Sequence, residues 1–315
     1  MKVVYVTGCL GFIGSYITRQ CLARGWFVRG VDKITYAANE QLLEEFGAYK
    51  NFVFNKQDIN DLDWLYDCDY VINTAAETHV DNSIMDSKVF IKSNVNGVHN
   101  LLELIKTKDN FKMPTLLHFS TDEVYGDILE GSHREDALLC PSNPYSATKA
   151  AADQLILAWA RTYKVPYIIV RPTNNYGIGQ YVEKLIPKSC KFLRLGRDIP
   201  LHGHGDPTRI WLHAKDTAEA IMKIIDTGQV NEIYNISSGF EQANIETVSK
   251  IVKCYFEDST KMATDYINFD SERVGHDMRY SVDDSKIRSL GWKPECNFDE
   301  ELVSIVKYHK DNFIW

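Results

Sequence analysis

The sequence lacks three features that would narrow its function at once: a cysteine motif, a long apolar run and an excess of positive charge. Its seven cysteines are scattered, odd in number and without a CxxC pair, which predicts reduced thiols in a cytoplasmic protein. The N-terminal apolar run ends at Thr7-Gly8 and is too short for a signal peptide or a membrane span. A formal net charge of -8 argues against a broad surface for nucleic acid or anionic membrane.

Apolar strand patterns alternate with helical patterns through the first half of the chain. Six strands are expected before Arg171, and their continuous apolar character is typical of a parallel sheet that is covered on both faces. We therefore predict an α/β fold with a doubly wound parallel sheet of the Rossmann type. Later segments predict one more helix and strand that return to this sheet, a turn-rich ribbon over 199–213, and a smaller, mainly helical C-terminal lobe.

A glycine-rich turn connects the first predicted strand to the first helix. Gly8, Gly11 and Gly14 have GxxGxxG spacing, a variant of the dinucleotide fingerprint, which lets the backbone approach a pyrophosphate at a helix N-terminus. The second strand ends at Asp32, whose carboxylate would bind the adenosine ribose and repel a 2′-phosphate, so NAD is favoured over NADP. The alternative is an ordinary tight turn with a surface aspartate. Further cofactor contacts are expected at Phe12, Ile13, Lys33, Asp58, Ile59, Ala75 and Ala76.

Tyr145 and Lys149 have YxxxK spacing. On a helix they share a face, and we expect the lysine to lower the pKa of the phenol towards neutrality. A tyrosine base near a nicotinamide can take a hydroxyl proton while a hydride leaves the same carbon. The spacing also occurs by chance in helices, but its position after a nucleotide-binding half favours function.

Together these residues resemble the extended short-chain dehydrogenase/reductase superfamily. Nearly the whole chain is similar to nucleotide-sugar 4,6-dehydratases of the dTDP-glucose 4,6-dehydratase type. The runs that carry this resemblance include "AAETHVDNSI", "STDEVYGD", "NPYSATKAAADQL" and "NNYGIGQYVEKLIP". The resemblance implies an NAD-binding Rossmann domain over 1–171, to which 208–236 return, and a mainly sugar-nucleotide-binding lobe over 172–315. It also implies that NAD is tightly bound and regenerated in each turnover.

The resemblance assigns a role to the acid pair in "STDEVYG". Tyr145 would take the 4-hydroxyl proton as C4 is oxidised, and Thr121 would orient the oxygen at C4. Glu123 would remove the C5 proton and Asp122 would protonate the leaving 6-hydroxyl, before hydride returns to C6. Adjacent carboxyl groups titrate as a pair, so one can hold a proton while the other is ionised. The alternative is that both acids cap the next turn.

A nucleotide-diphosphate sugar is the implied substrate. Arg209 and Arg273 would bind its phosphates, and Lys184 is a further contact, whereas Lys188 and Lys191 are expected on a solvated helical face. Weaker candidates are His79, Asn175, Glu183, Leu185, Asn244, His276 and Tyr280. No metal site is predicted, because His276 has no partner at ligand spacing. The nucleobase and the C2 substituent stay open among dTDP-glucose, UDP-glucose and UDP-N-acetylglucosamine, as does C5 epimerisation.

Two alternative functions remain at this point. One is a 4-epimerase or decarboxylase that acts on a UDP-sugar, and the other is a redox-sensing NAD-binding protein without turnover. Family resemblance also implies a homodimer through a four-helix interface. No nucleic-acid or membrane partner is expected, and the predicted location is the cytoplasm.

Overall fold

Parallel strands and connecting helices make up most of the structure, a computed structural model that describes residues 1–108, 112–271 and 277–312. The strands, numbered along the chain, are β1 (Val3–Thr7), β2 (Phe27–Asp32), β3 (Phe52–Lys56), β4 (Tyr70–Asn73), β5 (Thr115–Phe119), β6 (Tyr167–Pro172), β7 (Asn174–Tyr176), β8 (Ile199–His202), β9 (Thr208–His213), β10 (Glu232–Ile236), β11 (Glu241–Ala243) and β12 (Ile267–Ser271).

The helices are α1 (Phe12–Ala23), α2 (Leu42–Gly47), α3 (Val80–Met85), α4 (Ser87–Phe90), α5 (Gly97–Lys106), α6 (Pro144–Tyr163), α7 (Leu185–Arg194), α8 (Ala214–Thr227), α9 (Asn244–Phe256), α10 (Ser285–Ser289) and α11 (Phe298–Asp311). A π-helical segment over Ile91–Asn96 joins α4 to α5. Short 3₁₀ turns cover Asp122–Tyr125, Gly203–Gly205 and Ala263–Tyr266.

The central sheet has seven parallel strands in the order β10-β6-β5-β4-β1-β2-β3. The chain builds outward from β1 to β3, crosses back to β4, and then builds outward in the other direction. This reversal between β1 and β4 is the topological switch point at which doubly wound sheets bind ligands, beyond the carboxyl ends of their strands. The predicted fold class is confirmed.

Both faces of the central sheet are covered, which explains why its strands are apolar at successive positions. Val4 and Val6 on β1 point into a core that includes side chains of α1 and α8. Tyr5, between them, points into a second core with side chains of α5 and α6. The strand therefore buries alternate side chains on opposite faces.

A third apolar core, separate from the two that cover the central sheet, combines side chains from α7, α9 and α11, which follow β6 in the chain. The turn-rich ribbon expected over 199–213 would require its two strands to pair with each other, and this expectation is wrong. Strand β8 pairs with β12, whereas β9 lies between β7 and β11 in another sheet. The turn Gly203–Gly205, in which both glycines have positive φ, separates the two strands. The chain returns to the central sheet through α8, packed on α1, and through β10, while the division at residue 171 stays a prediction.

Two helix boundaries bear on the predicted site residues. Helix α1 ends before Gly25, whose φ of 71° is the left-handed conformation that glycine favours just after a helix. Helix α7 begins only at Leu185, with Lys184 as its extended N-cap residue. Lys184 therefore precedes the helix that carries Lys188 and Lys191. All seven cysteines are free, and no helix in the described ranges is long and apolar enough to cross a membrane.

Candidate active site

Two adjoining pockets lie at the carboxyl ends of the central strands. The sheet pocket is lined by residues that follow β1, β2, β3, β4, β5 and β6 in turn. The lobe pocket adds residues of the second lobe, and the two pockets share the following lining residues: Thr78, Glu123, Asn174, Asn175, Gln180, Glu183 and Lys184. Glu123 therefore lies where the two spaces meet.

The glycine turn at the start of the sheet pocket is closely packed. A Cβ atom on Gly14 would lie 2.0 Å from the Gly8 carbonyl oxygen, and one on Gly8 would lie 2.8 Å from the Ala75 backbone nitrogen. Gly8 also has a φ of 71°, which favours glycine. Helix α1 begins after Gly11 without a side-chain cap and without an acid in its first turn. Its N-terminal N–H groups and positive dipole are thus suited to an anion in the pocket.

Asp32, at the end of β2, holds this turn as well as lining the pocket. One carboxylate oxygen accepts a hydrogen bond from the Leu10 backbone N–H at 3.1 Å, and the other accepts one from Ile34 at 2.8 Å. Burial raises the pKa of Asp32, while these two backbone hydrogen bonds oppose the rise. The carboxylate is therefore fixed in orientation at the edge of the sheet pocket.

Lys33 connects three segments around the same pocket. Its Nζ donates to Ser93 Oγ at 3.1 Å and lies 3.6 Å from an Asp58 carboxylate oxygen and 3.7 Å from one of Glu77. Ser93 is on the π-helical segment, a form that often occurs at functional sites. The other predicted cofactor residues also line the sheet pocket: Phe12, Ile13, Ile59, Ala75 and Ala76.

The segment Thr121-Asp122-Glu123 begins the 3₁₀ turn after β5. Thr121 is the N-cap residue, and its Oγ1 accepts a hydrogen bond from the Glu123 backbone N–H at 3.3 Å. The same hydroxyl donates to Asp122 Oδ1 at 3.1 Å. The alternative in which the two acids are caps is therefore wrong, because Thr121 is the cap. The side chains of Asp122 and Glu123 line the sheet pocket.

Asp122 and Glu123 differ in their surroundings. Asp122 is 4% exposed, and its Oδ2 has no hydrogen-bond partner within the described residues. Burial, followed by the charge of Glu123, raises the pKa of Asp122 to about 7. Glu123 is half-buried and reaches both pockets. One acid of the pair thus holds a proton near neutral pH beside a second carboxyl group.

Tyr145 is buried in the first turn of α6, a helix that begins with Pro144 and a capping box between Asn143 and Ser146. The expectation that its pKa is lowered is wrong for this structure. Burial raises the pKa of Tyr145, and the charges of Glu123 and Asp122 raise it further, while a hydrogen bond with Thr121 acts in the opposite direction. The loss of solvent and these two carboxyl groups therefore outweigh the hydrogen bond with Thr121.

Lys149 lies one helical turn further along α6 and is 3% exposed. Burial lowers the pKa of Lys149 to about 8, although the carboxylate of Asp153 opposes this shift. Its Nζ lies 3.2 Å from Nε2 of His118 on β5. His118 is fully buried, and burial together with Lys149 holds the pKa of the imidazole well below its ordinary value. A neutral histidine therefore stands behind the lysine.

Arg209 and Tyr280 lie together in the lobe pocket. The guanidinium of Arg209 lies 4.6 Å from the Tyr280 ring centroid and donates to the backbone carbonyls of Thr208 at 2.6 Å and Asp277 at 3.1 Å. The Tyr280 hydroxyl donates a short hydrogen bond to the Asp277 carboxylate. This arrangement fixes a cation on the wall of the pocket opposite the sheet.

The loop between β7 and α7 forms the boundary between the pockets. Lys184 donates to the Thr78 carbonyl at 2.9 Å, and Glu183 accepts a hydrogen bond from the Tyr36 hydroxyl at 3.1 Å. The amide of Asn175 donates to the Thr173 carbonyl at 2.9 Å and accepts from Thr217 at 2.6 Å. Asn175, which is on β7, therefore ties the start of this strand to α8 through both ends of its amide.

The remaining predicted substrate residues divide into two groups. His79, Leu185 and Asn244 line the lobe pocket, whereas Arg273 and His276 lie outside the described residues. Lys188, predicted to be solvated, also lines the lobe pocket. The described part of the chain contains no cluster of three or more histidine, cysteine, aspartate or glutamate side chains that could hold a metal.

Several residues around the pockets had not been singled out from the sequence. His118, Ser93, Glu77 and Gln180 are examples. His118 belongs to "LLHFSTDE", where a polar residue in an otherwise apolar strand was the available signal. The other three have no distinctive spacing, and only the fold brings them to the cleft.

Comparison with known proteins places this geometry in a family. The profile of the family described as GDP-mannose 4,6 dehydratase matches residues 5–305. The chain is 40% identical to a dTDP-glucose 4,6-dehydratase of Haemophilus influenzae, over 99% of each protein. It is 39% identical to the low-salt glycan biosynthesis protein Agl12 of Haloferax volcanii, over 97% of this chain and 98% of that protein.

A solved structure agrees over the same length. DesIV, a dTDP-glucose 4,6-dehydratase from Streptomyces venezuelae crystallised with NAD, matches with a TM-score of 0.91 and 36% identity, covering 98% of this chain and 97% of that one. The predicted fold, enzyme class and family resemblance are confirmed by these matches. The chain belongs to the GDP-mannose 4,6 dehydratase family.

Proposed function

We propose that this protein is an NAD-dependent nucleotide-sugar 4,6-dehydratase, which converts a nucleotide-diphosphate hexose to its 4-keto-6-deoxy product. The observation that carries the proposal is the meeting of Tyr145, Asp122 and Glu123 at one end of the sheet pocket, where the lobe pocket adjoins it. A base for a hydroxyl, a protonated acid and a second carboxyl group are the side chains that this elimination needs. Relatives of the same length carry the dehydratase name.

The residues of the sheet pocket fit NAD. The uncapped N-terminus of α1 suits its pyrophosphate, Asp32 suits the adenosine ribose, and Lys33, Asp58 and Ile59 border the adenine side of the cleft. Structures of relatives contain NAD. When bound, NAD supplies a hydride acceptor for C4 and a hydride donor for C6, so it is regenerated in each turnover.

Proton transfers in the reaction are assigned to this chain's own side chains. Tyr145 acts as a phenolate, which Lys149 one turn away stabilises by its positive charge, and it becomes a phenol when it removes the 4-hydroxyl proton. Thr121, which hydrogen-bonds both Tyr145 and Asp122, orients the oxygen at C4. The 4-keto group then acidifies the proton at C5.

Glu123 removes the C5 proton, and Asp122 donates a proton to the leaving 6-hydroxyl. Because the pKa of Asp122 is raised to about 7, Asp122 retains a proton in neutral solution for this purpose. The Glu123 carboxylate has no hydrogen-bond partner in the described ranges, and this leaves it available as a base.

The sugar nucleotide occupies the lobe pocket, with Arg209 and Lys184 near its diphosphate. Asn175, Glu183, Leu185, Asn244, His79 and Tyr280 line or support the same space, and Arg273 and His276 are kept as candidates from the sequence. The names of the relatives favour dTDP-glucose. UDP-glucose and UDP-N-acetylglucosamine are the alternatives, and C5 inversion is a further outcome to be measured.

A panel of these three sugar nucleotides and UDP-glucuronic acid, incubated in ²H₂O with product identification by NMR, tests the function. We expect one compound to give a 4-keto-6-deoxy sugar with solvent deuterium at C5, since that proton is removed and replaced from solvent. A C4 epimer without deuterium at C5 would instead indicate an epimerase, and loss of carbon dioxide from a uronic-acid substrate would indicate a decarboxylase. No conversion of any compound by NAD-loaded protein would overturn the proposal.

A homodimer is also proposed. The segment Val80–Asn96 exposes several large apolar side chains, namely Ile84, Met85, Val89 and Ile91. Together with α5 and α6 this surface would form the four-helix interface. Light scattering after gel filtration should give a dimer mass for the protein and a smaller mass for Val89→Lys. A monomeric wild-type chain would overturn the dimer proposal.

The cytoplasmic location stays a prediction that the free thiols support.

A further inference from the structure

A buried row of polar side chains crosses three adjacent strands directly behind the proposed catalytic residues. Thr7 on β1 is in register with Asn73 on β4, and Asn73 is in register with His118 on β5. These side chains are 0%, 1% and 0% exposed. The Thr7 hydroxyl donates to Asn73 Oδ1 at 2.6 Å, and Asn73 Nδ2 lies 3.0 Å from His118 Nδ1. The row continues to Lys149, 3.2 Å from the other ring nitrogen.

The hydrogen-bond polarity of this row depends on the charge of Lys149. When Asn73 presents its Oδ1 to Thr7, its Nδ2 donates to Nδ1 of His118. A neutral imidazole then carries its proton on Nε2, where it faces Lys149, and the lysine must accept as a neutral amine. An ammonium on Lys149 requires the reverse arrangement. It donates to Nε2, the ring proton is on Nδ1, and the Asn73 amide is turned over so that its oxygen accepts.

A histidine can serve both arrangements, because either nitrogen of a neutral ring can donate while the other accepts. An apolar side chain in its place would leave the Lys149 ammonium without this acceptor in a dry site. The cost of an unsatisfied buried charge would then favour the neutral amine. The other ends of the row are closed, since Thr7 and Asn73 are as buried as the histidine.

Other charged and titratable groups near Lys149 are arranged differently. On its own helix, Tyr145 is one turn away and Asp153 acts on Lys149 through charge. Asp153 is also bound by Arg171 from β6, at 2.9 and 3.1 Å. From the turn after β5, Asp122 and Glu123 act on Tyr145.

Among the described residues, His118 is therefore the side chain in direct hydrogen-bond contact with the lysine Nζ. It comes from a different element than the catalytic helix. Its ring is held by Asn73 rather than by solvent, so it can fix the position of Nζ as well as accept from it.

We infer that His118 is a positioning residue for the C4 oxidation step: it holds Lys149 beside Tyr145 and changes tautomer as Lys149 changes charge. This inference rests on the proposed function, because that function gives Lys149 its role. His118 does not touch the sugar in this scheme and acts through Lys149.

Enzyme kinetics provide one test. In His118→Met, with no acceptor for the ammonium, we expect the alkaline limb of the kcat profile to move about one pH unit towards acid. We also expect kcat to fall about tenfold at neutral pH with KM unchanged. His118→Gln, whose amide oxygen can still accept from the ammonium, should restore the limb, and His204→Met in the exposed turn after β8 should not move it. An unmoved limb in a folded His118→Met protein overturns the inference.

Nuclear magnetic resonance tests the tautomer without turnover and without relying on a variant that folds poorly. In NAD-loaded wild-type protein with ¹⁵N-labelled histidine, the His118 ring should stay neutral while its proton moves from Nδ1 to Nε2 as the pH is raised through about 8. Lys149→Met should abolish this change. The spectrum of His118→Gln, which lacks the His118 ring signals, identifies them in the wild-type spectrum. One tautomer across the whole titration in wild-type protein overturns the inference.

The two failures can be told apart. If wild-type protein converts no sugar nucleotide, the proposed function fails, and the tautomer measurement still reports on the contact with Lys149. If the wild-type protein is an active dehydratase but the limb and the tautomer do not respond as described, the role of His118 alone fails.

Discussion

Asp122 and Asp153 are buried at the same end of the central sheet, yet only Asp153 is bound by a cation among the described residues. Asp153 Oδ2 accepts hydrogen bonds from Arg171 Nε, Arg171 Nη2 and Ser120 Oγ, at 3.1, 2.9 and 3.0 Å. Each acid has one oxygen without a partner in the described part of the chain, Asp153 Oδ1 and Asp122 Oδ2, but the other oxygen of Asp122 is bound only by the Thr121 hydroxyl and by no cation.

The difference separates stability from chemistry. Burial raises the pKa of Asp153 as well, but the Arg171 guanidinium opposes this rise and ties α6 to β6. A buried carboxyl group without a cation keeps its proton instead, and can give it to a substrate. Ser120 and Thr121 are neighbours in sequence, so two adjacent hydroxyl groups bind the structural acid Asp153 and the reactive acid Asp122.

Removing the reactive acids should give the largest effect on catalysis. We expect Glu123→Gln and Asp122→Asn each to slow elimination about 100-fold or more, since a proton transfer is lost in each. Glu123→Gln should still oxidise C4, so bound NADH should accumulate in single-turnover absorbance measurements. NAD affinity should be unchanged in both variants.

Glu130→Gln, an exposed acid on the following loop, is the matched control and should behave as wild type. If NAD binding fell as much as elimination in the two reactive-acid variants, both acids would be structural and the contrast with Asp153 would disappear.

Breaking the structural pair should have its main effect on folding. Arg171→Met leaves the charge of Asp153 buried without its cation, and should lower the free energy of unfolding by about 3–5 kcal/mol. Urea denaturation measures this. The control is Arg19→Met, because the Arg19–Glu45 pair also has two hydrogen bonds, at 2.6 and 2.7 Å, but both side chains are 42% exposed. That variant should lose only about 0–1 kcal/mol.

The two variants therefore test whether burial, rather than hydrogen-bond geometry, sets the effect of the pair. Equal losses in Arg171→Met and Arg19→Met would contradict this interpretation.

The pH dependence of stability should carry a signature of Asp122. Its pKa is raised from 3.8 to about 7 in the folded protein, so the folded state binds the proton more tightly than the unfolded state. The associated stabilisation is complete below pH 3.8 and is lost as the pH rises through about 7. Asp122→Asn should remove this loss, so the stability of the variant relative to wild type should increase between these values and then level off.

Urea denaturation of both proteins across that pH range measures the difference. A constant difference would mean that the folded protein does not raise the pKa of Asp122. Elimination by the wild-type enzyme should also decline above about pH 7, as the acid loses its proton.

The smallest effect is expected at the entrance of the sheet pocket, where neither burial nor a strong charge pair contributes. The Tyr36 hydroxyl donates to Glu183 at 3.1 Å and accepts from Asn82 at 3.3 Å, and its ring contacts Tyr181 edge to face. Removing the hydroxyl in Tyr36→Phe should speed NAD release about two- to fivefold, because partly exposed hydrogen bonds are weak.

Stopped-flow measurement of NAD release tests this, with Tyr49→Phe, an exposed tyrosine on the surface, as the control. Release rates that are the same in both variants would show that the contact across the entrance does not retain the cofactor.

Much of the fold and the outline of the site follow from short patterns in the sequence. The apolar runs, the three glycines, Asp32 and the YxxxK spacing predicted a doubly wound sheet with a cleft at its carboxyl edge, and the structure has both. These patterns are readable because a turn, a strand end or one face of a helix is defined by residues close together in the chain.

Other expectations were wrong where distant segments decide the outcome. The pairing of β8 with β12 replaced the predicted ribbon, because strand partners depend on which lobe each strand packs into. The pKa of Tyr145 is raised rather than lowered, because burial and the acids of another segment act on the phenol.

The sequence by itself determined the fold class, the position of the glycine turn and the identity of the reactive residue types. Only the tertiary structure decided that burial raises the pKa of Asp122, that Asp153 is bound by Arg171, and that His118 contacts Lys149. The physical reason is that protonation depends on burial and on partners from other strands, which local spacing does not specify.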